Sequence, residues 1–470
     1  MKTSLPNHRI DVQDFVYKSI EDQLLTLRNI LREFEYTSGY YQRLAEGYGF
    51  IHAPRKTLAF GNPITELLLD FFADNRALSL KEINTIFPKN LRADLLQAQL
   101  IIKTLKGEFL SVFRVFPLNH YLLLVPFPRF SDPQVYLGAE SLTFQKYLRV
   151  VNTPKAVLDL ATGSGFQLFG LPWQGPSYSM LGIDLNPNAI ATAKLSASWN
   201  QCDWITFKQG DITTDLADIS RQFDLITGHL PILPTPSDTR YKDSMHNDGG
   251  MDGFAVIRKV LPAIPNILAP EGTAQLIHIA LGTDEEPGLL QELRETFDEL
   301  QLKGQVVVIK KIPVELDAYY RGTTEEEYTR WINFYKRQKA SYWYRIILRI
   351  SHSTDYSFEP ILNYLELFRH DFSQPPNPLS LEKIRRDMNH YLNDFYLLSN
   401  SSRADFDICS SRLEKAITNP DNFRKTITEF GKELGDTFSD IFPNVGSAIR
   451  FWGKLSANQW QPRYLERKLW

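Results

Sequence analysis

The amino-acid sequence predicts an α/β fold with a doubly wound sheet of seven strands, preceded and followed by mainly helical regions. Between residues 154 and 350, seven short apolar runs occur, and stretches with helical spacing separate the first of them. This alternation is typical of a parallel sheet with helices on both faces. Because 470 residues exceed what one ordinary core holds, we expect three domains, at 1–153, 154–350 and 351–470.

The strands and helices of the middle domain follow from the length and spacing of its apolar runs. The predicted strands cover residues 156–160, 180–184, 205–209, 223–227, 274–280, 305–312 and 342–350. Helical stretches at 188–199 and 253–268 lie between them. The seventh run alternates less clearly, which favours an antiparallel edge strand.

The first domain is predicted to be mainly helical. Apolar residues recur at helical spacing over 12–34. Asn62 is a candidate N-cap for a helix over 64–72, and Ser79 with Glu82 has the spacing of a capping box. A helix over 91–105 and two strands at 109–116 and 121–127 complete an order of elements that resembles a winged helix.

Two roles are open for such a winged helix. It could bind nucleic acid through residues 91–105, or it could pack on the neighbouring domain and cover a substrate. The basic residues Arg92, Lys103 and Lys106 are diluted by Asp94 and Glu108. The sequence therefore favours the packing role.

Composition bears on partners and compartment. The formal net charge is −3, so nucleic acid is a partner that composition allows but does not favour. Cys202 and Cys409 form neither a metal-ligand spacing nor a disulfide framework, which indicates a reducing cytoplasm. We expect no membrane span, because no apolar run reaches about 18 residues. The third domain, with predicted helices at 379–398 and 422–441, carries no motif for chemistry.

The strongest motif follows the first predicted strand and reads Asp159-Leu160-Ala161-Thr162-Gly163-Ser164-Gly165. Glycine permits a tight turn and lets a ligand lie against the main chain. A dinucleotide-binding loop has a third glycine where Leu168 stands here, and Asp159 would repel a pyrophosphate. A ligand with an ammonium and a sulfonium would be attracted instead. The alternative interpretation is a plain strand–turn–helix connection.

Two further acidic residues follow the next predicted strands. Asp184 ends the second strand, where a carboxylate can accept hydrogen bonds from both ribose hydroxyls. Asp211 follows the third strand and is placed to accept from an adenine amino group. For Asp211, a role in the turn or as an N-cap is the alternative.

These motifs, in this order and spacing, resemble those of class I S-adenosylmethionine (SAM)-dependent methyltransferases. The stretches 223–231 and 249–254 are similar to the release-factor glutamine methyltransferases and to certain ribosomal RNA guanine methyltransferases. The resemblance covers residues 12–350, and its stretches 136–143 and 317–331 are similar to a bacterial subgroup of multidomain methyltransferases. It implies a Rossmann-like sheet, SAM as the cofactor and methyl transfer as the activity.

The resemblance also implies residue roles. Asp159, Gly163 and Gly165 would hold the methionine part of SAM, Asp184 the ribose and Asp211 the adenine. Neighbouring residues would contact the cofactor as well: Ala161, Leu185, Gly210 and Ile212. Ahead of the first strand, two more would close over it: Thr143 and Phe144.

One motif departs from the family pattern. The glutamine and nucleobase methyltransferases carry Asn-Pro-Pro-Tyr (or Phe) after the fourth strand, and that asparagine accepts a hydrogen bond from a planar NH2 group. The aligned residues here are Gly228-His229-Leu230-Pro231-Ile232, so only Pro231 is retained. His229 could act as a general base for a hydroxyl or amine, or it could form only local hydrogen bonds.

Further candidates for substrate binding lie on loops near the expected mouth of the site: Pro231, Tyr241, His246, Asp252 and Tyr319. Because the planar-nitrogen motif is altered and no basic stripe is present, we expect methylation of an oxygen or nitrogen of a small molecule or modified peptide. One alternative is N-methylation of a protein side chain or an RNA base. The other is a SAM-binding protein without catalytic activity.

Overall fold

The computed structural model of the chain describes residues 21–45, 62–104, 106–127, 130–131, 133–148, 153–172, 174–237, 244–321, 325–352 and 357–360. The predicted helices at 379–398 and 422–441 lie outside these residues, as does the beginning of the predicted helix 12–34. Within the described ranges, no helix combines the length and the apolar character needed to cross a membrane.

The N-terminal region begins with helices α1 (Glu21–Glu33) and α2 (Tyr36–Ala45). The next elements are α3 (Pro63–Phe72), α4 (Leu80–Ile86), α5 (Lys89–Gln97), β1 (Ile101–Lys103) and β2 (Phe109–Ser111). β1 and β2 form an antiparallel hairpin, and Leu78 adds a single bridge to Phe109. A helix, a bridge, two helices and a hairpin occur in the order of a winged helix, which we propose for residues 62–111.

Local signals determine where two of these helices begin. The Asn62 side chain accepts a hydrogen bond from the Ile64 N–H at 2.9 Å, and Pro63 takes the first helical position. Ser79 and Glu82 form the predicted capping box, because the Ser79 N–H donates to the Glu82 carboxylate at 2.8 Å and the Glu82 N–H donates back to the hydroxyl. Such caps stabilise a helix by about 1 kcal/mol.

Two predicted boundaries in this region are wrong. The helix predicted over 91–105 ends at Gln97, since Gln99 adopts a φ of 56° and the chain then extends into β1. The strand predicted over 109–116 is two strands, because β2 pairs with β1 while β3 (Phe113–Leu118) pairs with β4 (Tyr121–Pro126). Both faces of β3 and β4 are buried, so their apolar pattern contains no break.

An eight-stranded sheet forms the centre of the middle domain. Its further strands are β5 (Ala156–Leu160), β6 (Ser179–Asp184), β7 (Ile205–Gln209), β8 (Phe223–Gly228), β9 (Leu268–Gly282), β10 (Lys303–Pro313), β11 (Tyr342–Ser351) and β12 (Ser357–Pro360). The strand order is β12-β10-β11-β9-β8-β5-β6-β7. All seven predicted strands are present. The seventh, β11, is antiparallel as expected, but it lies between β9 and β10 and is not an edge strand.

Helices pack against this sheet. They are α6 (Ala139–Tyr147), α7 (Phe166–Gly170), α8 (Pro187–Asn200), α9 (Ala255–Val260), α10 (Ile264–Ile267), α11 (Leu290–Glu299), α12 (Val314–Arg321) and α13 (Glu325–Arg337). The single helix predicted over 253–268 is divided into α9 and α10 by a 3₁₀ turn that contains Pro262. Proline removes a main-chain donor, which accounts for the interruption.

The winding of the sheet positions a ligand site. From β5 the chain winds outward through β6 and β7, and it then returns to β8 on the other side of β5. At such a switch point the loops after the strands separate and leave a crevice, where α/β sheets bind their ligands. The predicted site residues that follow β5, β6 and β8 are therefore brought to one edge.

The N-terminal region packs on the sheet through α8, as predicted. The main-chain N–H groups of Leu122 and Leu124 in β4 donate to the Asn200 amide oxygen and the Ser196 hydroxyl, both at 3.0 Å. The Trp199 indole N–H donates to a carbonyl of α1 at 2.7 Å. Side chains of α8 thus satisfy main-chain N–H groups at the free edge of β4.

A fragment of residues 154–352 is expected to aggregate. Removing the N-terminal region uncovers Trp199, which is only 1% exposed in the full chain, together with the apolar face of α8. Size-exclusion chromatography of the fragment beside the full chain tests this. A monomeric fragment that melts at the temperature of the full chain would show that the packing is dispensable.

Candidate active site

A pocket opens at the carboxyl ends of β5, β6 and β8. Six residues predicted from the sequence line it: Ala161, Gly163, Asp184, His229, Pro231 and His246. The pocket is also lined by residues to which the sequence analysis gave no role, among them Tyr136, Ser164 and Gln167. The segment that carries Tyr136 precedes the sheet in sequence, so a part of the chain outside the sheet covers one side of the pocket.

Two glycines shape the turn after β5. Gly163 and Gly165 adopt φ values of 56° and 80°, a region in which side chains are disfavoured. A Cβ on Gly165 would also lie 2.9 Å from the ring of Phe207. The turn therefore depends on glycine, and it presents main-chain groups to the pocket.

Asp184 holds this turn against the loop after β6. Its carboxylate accepts hydrogen bonds from the main-chain N–H of Gly163 at 2.7 Å and from that of Asn186 at 2.8 Å. Burial raises the pKa of Asp184, while these two bonds oppose the shift. Each carboxylate oxygen keeps a second lone pair, so the group can still accept hydrogen bonds from ligand hydroxyls.

Asp159 does not line the pocket, contrary to the direct ligand contact expected from the sequence. Its side chain is 1% exposed, and its two oxygens accept hydrogen bonds from the hydroxyls of Thr162 at 2.6 Å and Thr227 at 2.7 Å. Burial raises the pKa of Asp159 to about 7. The two hydrogen bonds lower the pKa and the nearby Asp184 raises it, but burial has the largest effect. Its position indicates that it joins the glycine turn to β8.

The residues after β7 form a tight turn. Asp211 accepts hydrogen bonds from the N–H and the hydroxyl of Thr213 at 2.8 and 2.7 Å, which is the turn role left open by the sequence. Ile212 is buried in the apolar core of the sheet domain, so its side chain is not available to a ligand. Leu185 is 47% exposed next to Asp184. Adenine contacts by Leu185, Gly210 and Asp211 stay predictions.

The predicted closure by Thr143 and Phe144 is not what the structure shows. Phe144 is fully buried among residues of the sheet core, including Ile277 and Ile347. Thr143 lies beside it on α6 and does not line the pocket, whereas Ser141 does. The periodicity of α6 thus directs these two side chains elsewhere.

Two polar atoms of the pocket have no protein partner among the described residues. They are the Ser164 hydroxyl and the Gln167 amide oxygen, and both are buried. The amide nitrogen of Gln167 donates to the Ser141 carbonyl at 2.9 Å, which fixes the orientation of the side chain. An unsatisfied buried polar group costs about 1–3 kcal/mol, so the pocket is suited to a ligand with polar groups.

Three rings form the other side of the pocket. The ring of Tyr136 lies 5.8 Å from that of His229 at 78°, and 5.9 Å from that of His246 at 16°. Burial lowers the pKa of His229 to about 4; Glu140 opposes the shift and Arg345 adds to it. At pH 7 the imidazole is therefore neutral, with one donor and one acceptor nitrogen. No described residue hydrogen-bonds to it.

A partly buried ion pair holds the Tyr136 ring in place. The Tyr136 hydroxyl donates to Glu140, and the Arg345 guanidinium on β11 donates to the other oxygen of the same carboxylate. Burial alone would raise the pKa of Glu140, but Arg345 and the Tyr136 hydroxyl outweigh it and hold the pKa at about 2. Because 205 residues separate Glu140 from Arg345, no sequence pattern pointed to this contact.

The remaining predicted substrate residues differ in outcome. Asp252 accepts from the Phe254 N–H at 2.9 Å and pairs with Arg258 at 2.5 Å, so an ion pair at the surface occupies its carboxylate. Tyr241 lies outside the described residues. Tyr319 lies on α12, and its side chain is not among those described.

Comparison with known proteins decides the family. A family model described as a methyltransferase domain matches residues 152–336. A Methanocaldococcus jannaschii protein named as a protein N5-glutamine methyltransferase is 32% identical over 190 residues, which are 39% of this chain and 88% of that relative. The chain belongs to the class I SAM-dependent methyltransferases. The methyltransferase resembles others of the same group over shorter stretches.

Two of these relatives are bacterial. The release factor glutamine methyltransferase of Geobacter sulfurreducens is 31% identical over 148 residues, 30% of the methyltransferase and 51% of the relative. The ribosomal protein uL3 glutamine methyltransferase of Bradyrhizobium diazoefficiens is 29% identical over 123 residues, 25% and 38% of the two chains. The matched part of the methyltransferase thus spans about half the length of the Geobacter relative and 38% of the Bradyrhizobium relative.

The pocket of the methyltransferase fits SAM, its methyl donor. The glycine turn leaves room for a ligand along the main chain, and Asp184 can accept hydrogen bonds from ribose hydroxyls. The unpaired oxygens of Ser164 and Gln167 are acceptors for the ammonium of the methionine part. We propose these residues, with Ala161 and Gly163, as the SAM site.

Proposed function

We propose that the methyltransferase methylates a nitrogen of a protein side chain, and that the acceptor is a planar amide. The names of its relatives support a protein acceptor, since they state glutamine as the methylated residue. The observation that carries the proposal is His229, a neutral imidazole that lines the pocket beside Pro231 and has no hydrogen-bond partner among the described residues.

The charge state of His229 matters because an amide nitrogen is a poor nucleophile. Its lone pair is delocalised, and a group that accepts a hydrogen bond from its N–H raises the electron density on nitrogen. An imidazolium has only donors and would repel that N–H, whereas a neutral imidazole offers an acceptor nitrogen. His229 can therefore do what the asparagine of the family motif does.

The chain's own residues then act by binding and orientation. When bound, SAM would supply an electrophilic methyl group on a sulfonium. S-adenosylhomocysteine would leave with the S–C bonding pair as the methyl moves to nitrogen, and the amide nitrogen would lose one of its two protons to water. Asp184 and Gly163 hold the donor side, and His229 orients the acceptor N–H. Holding both reactants close to attack distance is the main source of the rate enhancement in such a displacement.

The domain division and the compartment are part of the proposal. We assign residues 1–153 as a module that packs on the catalytic domain 154–350, supported by the hydrogen bonds between β4 and α8. The third domain, predicted at 351–470, would begin after residue 360, because β12 pairs with β10 in the same sheet. Acceptors of the kind named for the relatives, a release factor and a ribosomal protein, agree with activity in the cytoplasm.

Methyl transfer from radiolabelled SAM to fractionated cell extract tests the acceptor class. We expect label in the protein fraction and, with short peptides that contain a single Gln, Asn, Lys or His, transfer to the glutamine side chain as located by mass spectrometry. Heat-treated protein is the control. Label confined to the small-molecule or RNA fraction would contradict the proposal, and SAM binding without any transfer would favour a non-catalytic protein.

A further inference from the structure

The acceptor pocket lacks the aromatic residue that the family motif supplies. Ile232 stands at that position of the chain. Its side chain is 6% exposed and belongs to the apolar core of the sheet domain. The motif itself therefore offers no ring against which a planar group could lie.

Two rings from other segments line the same pocket. Tyr136 comes from the segment before α6, and His246 comes from the loop that precedes α9. Their planes are 16° apart and their centroids 5.9 Å apart, which is an offset stack. The Tyr136 ring thus contacts the rings of both His246 and His229.

Hydrogen bonds hold both rings in place. Tyr136 donates to Glu140, whose charge is balanced by Arg345. His246 lies within hydrogen-bond distance of the Asn247 amide at 2.9 Å. The loop of His246 is joined to the stretch after β8, because the Leu233 N–H donates to the Asn247 carbonyl at 2.9 Å.

Gly138 makes the position of Tyr136 possible. A Cβ at residue 138 would lie 1.9 Å from the Tyr136 hydroxyl oxygen, far inside van der Waals contact. The φ of Gly138 is −138°, which any residue adopts, so the backbone does not require glycine there. Glycine is needed at residue 138 because the absence of a Cβ leaves room for the Tyr136 hydroxyl.

We propose that Tyr136 and His246 together form the wall against which the acceptor's planar group lies, in place of the aromatic residue that Ile232 replaces. Glu140 and Arg345 balance each other's charge next to Tyr136, and the Tyr136 ring lies beside that of His229. A flat, neutral group with N–H donors, such as a side-chain amide, fits this chemistry. The inference rests on the proposed function for the identity of that group.

Steady-state kinetics of the full chain with the glutamine peptide, at saturating SAM, tests the wall. Tyr136→Ala should raise KM for the peptide about tenfold, the order of an aromatic stack, while SAM affinity changes less than about threefold. Tyr136→Phe keeps the ring and should stay within about threefold of wild-type KM. A merely structural role of Tyr136 would lower the melting temperature and leave KM unchanged.

Gly138→Ala provides the matched variant, since it alters no side chain of the pocket. It should displace the Tyr136 ring and raise KM as Tyr136→Ala does. In a Tyr136→Ala background it should have no further effect, because the atoms that it would meet are gone. Additive effects of the two changes, or a wild-type KM in Tyr136→Ala, would overturn the proposed wall.

The two proposals fail in different ways. If the wild type transfers methyl only to a small molecule, the proposed protein acceptor is wrong, and the same KM comparison with that molecule still decides whether Tyr136 forms its wall. If the peptide is methylated and both Tyr136→Ala and Gly138→Ala keep its KM, the wall is wrong and the function stands. If no acceptor is methylated at all, both are wrong.

Discussion

Replacing His229 with alanine is expected to lower kcat about a hundredfold or more while SAM affinity changes less than about threefold. The variant loses the hydrogen-bond acceptor beside the attacking nitrogen, and removal of one such group costs about that much in comparable sites. His229→Asn restores an acceptor oxygen and should return kcat to within about tenfold of wild type. Steady-state kinetics and thermal melting of both variants provide the measurement.

The pH dependence tests the lowered pKa of His229, and the comparison of the two variants separates a hydrogen-bond acceptor from a general base. Because burial lowers the pKa of His229 to about 4, activity that needs the neutral ring should be constant from about pH 8 to pH 5 and fall only as pH approaches 4. A base with the ordinary histidine pKa of about 6.5 would lose activity through pH 6.5. A fall in activity through about pH 6.5, together with equal losses of kcat in His229→Asn and His229→Ala, would favour the general-base role of His229 instead.

The lowered pKa of His229 also makes the free energy of unfolding depend on pH. Below about pH 6.5 the unfolded chain binds a proton at His229, whereas the folded chain binds it only below about 4. The contribution of His229 to the free energy of unfolding therefore decreases as pH falls from about 6.5 to 4.

Asp184→Ala should weaken SAM about ten- to hundredfold. The change removes the carboxylate predicted to accept the ribose hydroxyls and also the acceptor of the Gly163 N–H, and each hydrogen bond to a charged group contributes about 1.5–3 kcal/mol. Calorimetric titration with SAM measures the effect. Asp218→Ala, at an exposed carboxylate outside the pocket, is the control and should bind as the wild type does.

The wild type should bind SAM and S-adenosylhomocysteine and should not bind NAD. The loop after β5 lacks the third glycine of a dinucleotide loop, and the Asp184 carboxylate lines the pocket where it would repel a pyrophosphate. Wild-type protein without affinity for SAM would contradict the assigned site itself.

The sheet and half of the site were predictable from sequence. Buried parallel strands are short apolar runs, and the residues that follow them meet at one edge of the sheet. The predicted strands β5, β6 and β8 therefore placed Gly163, Asp184 and His229 together, and the structure has all three in one pocket. Sequence could not show that the Asp159 carboxylate is buried and does not line the pocket. Its orientation depends on the two threonine hydroxyls that it meets in the folded chain.

The parts that failed depend on which segments pair with one another in the folded chain. The break between β2 and β3 is set by which strand each one pairs with, and the apolar pattern is the same in both. Likewise, the stretch 136–143 was noticed, but nothing in it indicates that Tyr136 lines the pocket. Its position follows from contacts with Glu140 and, through it, with Arg345.

The location of Arg345 has a consequence for the order in which the pocket is assembled. Arg345 lies on β11, the strand that inserts between β9 and β10 after both have been synthesised. Arg345 follows Glu140 by 205 residues, so a chain emerging from the ribosome lacks this counter-charge until more than 150 residues after Asp184 have been added. The ion pair that positions Tyr136 is therefore complete only after β11 has been synthesised.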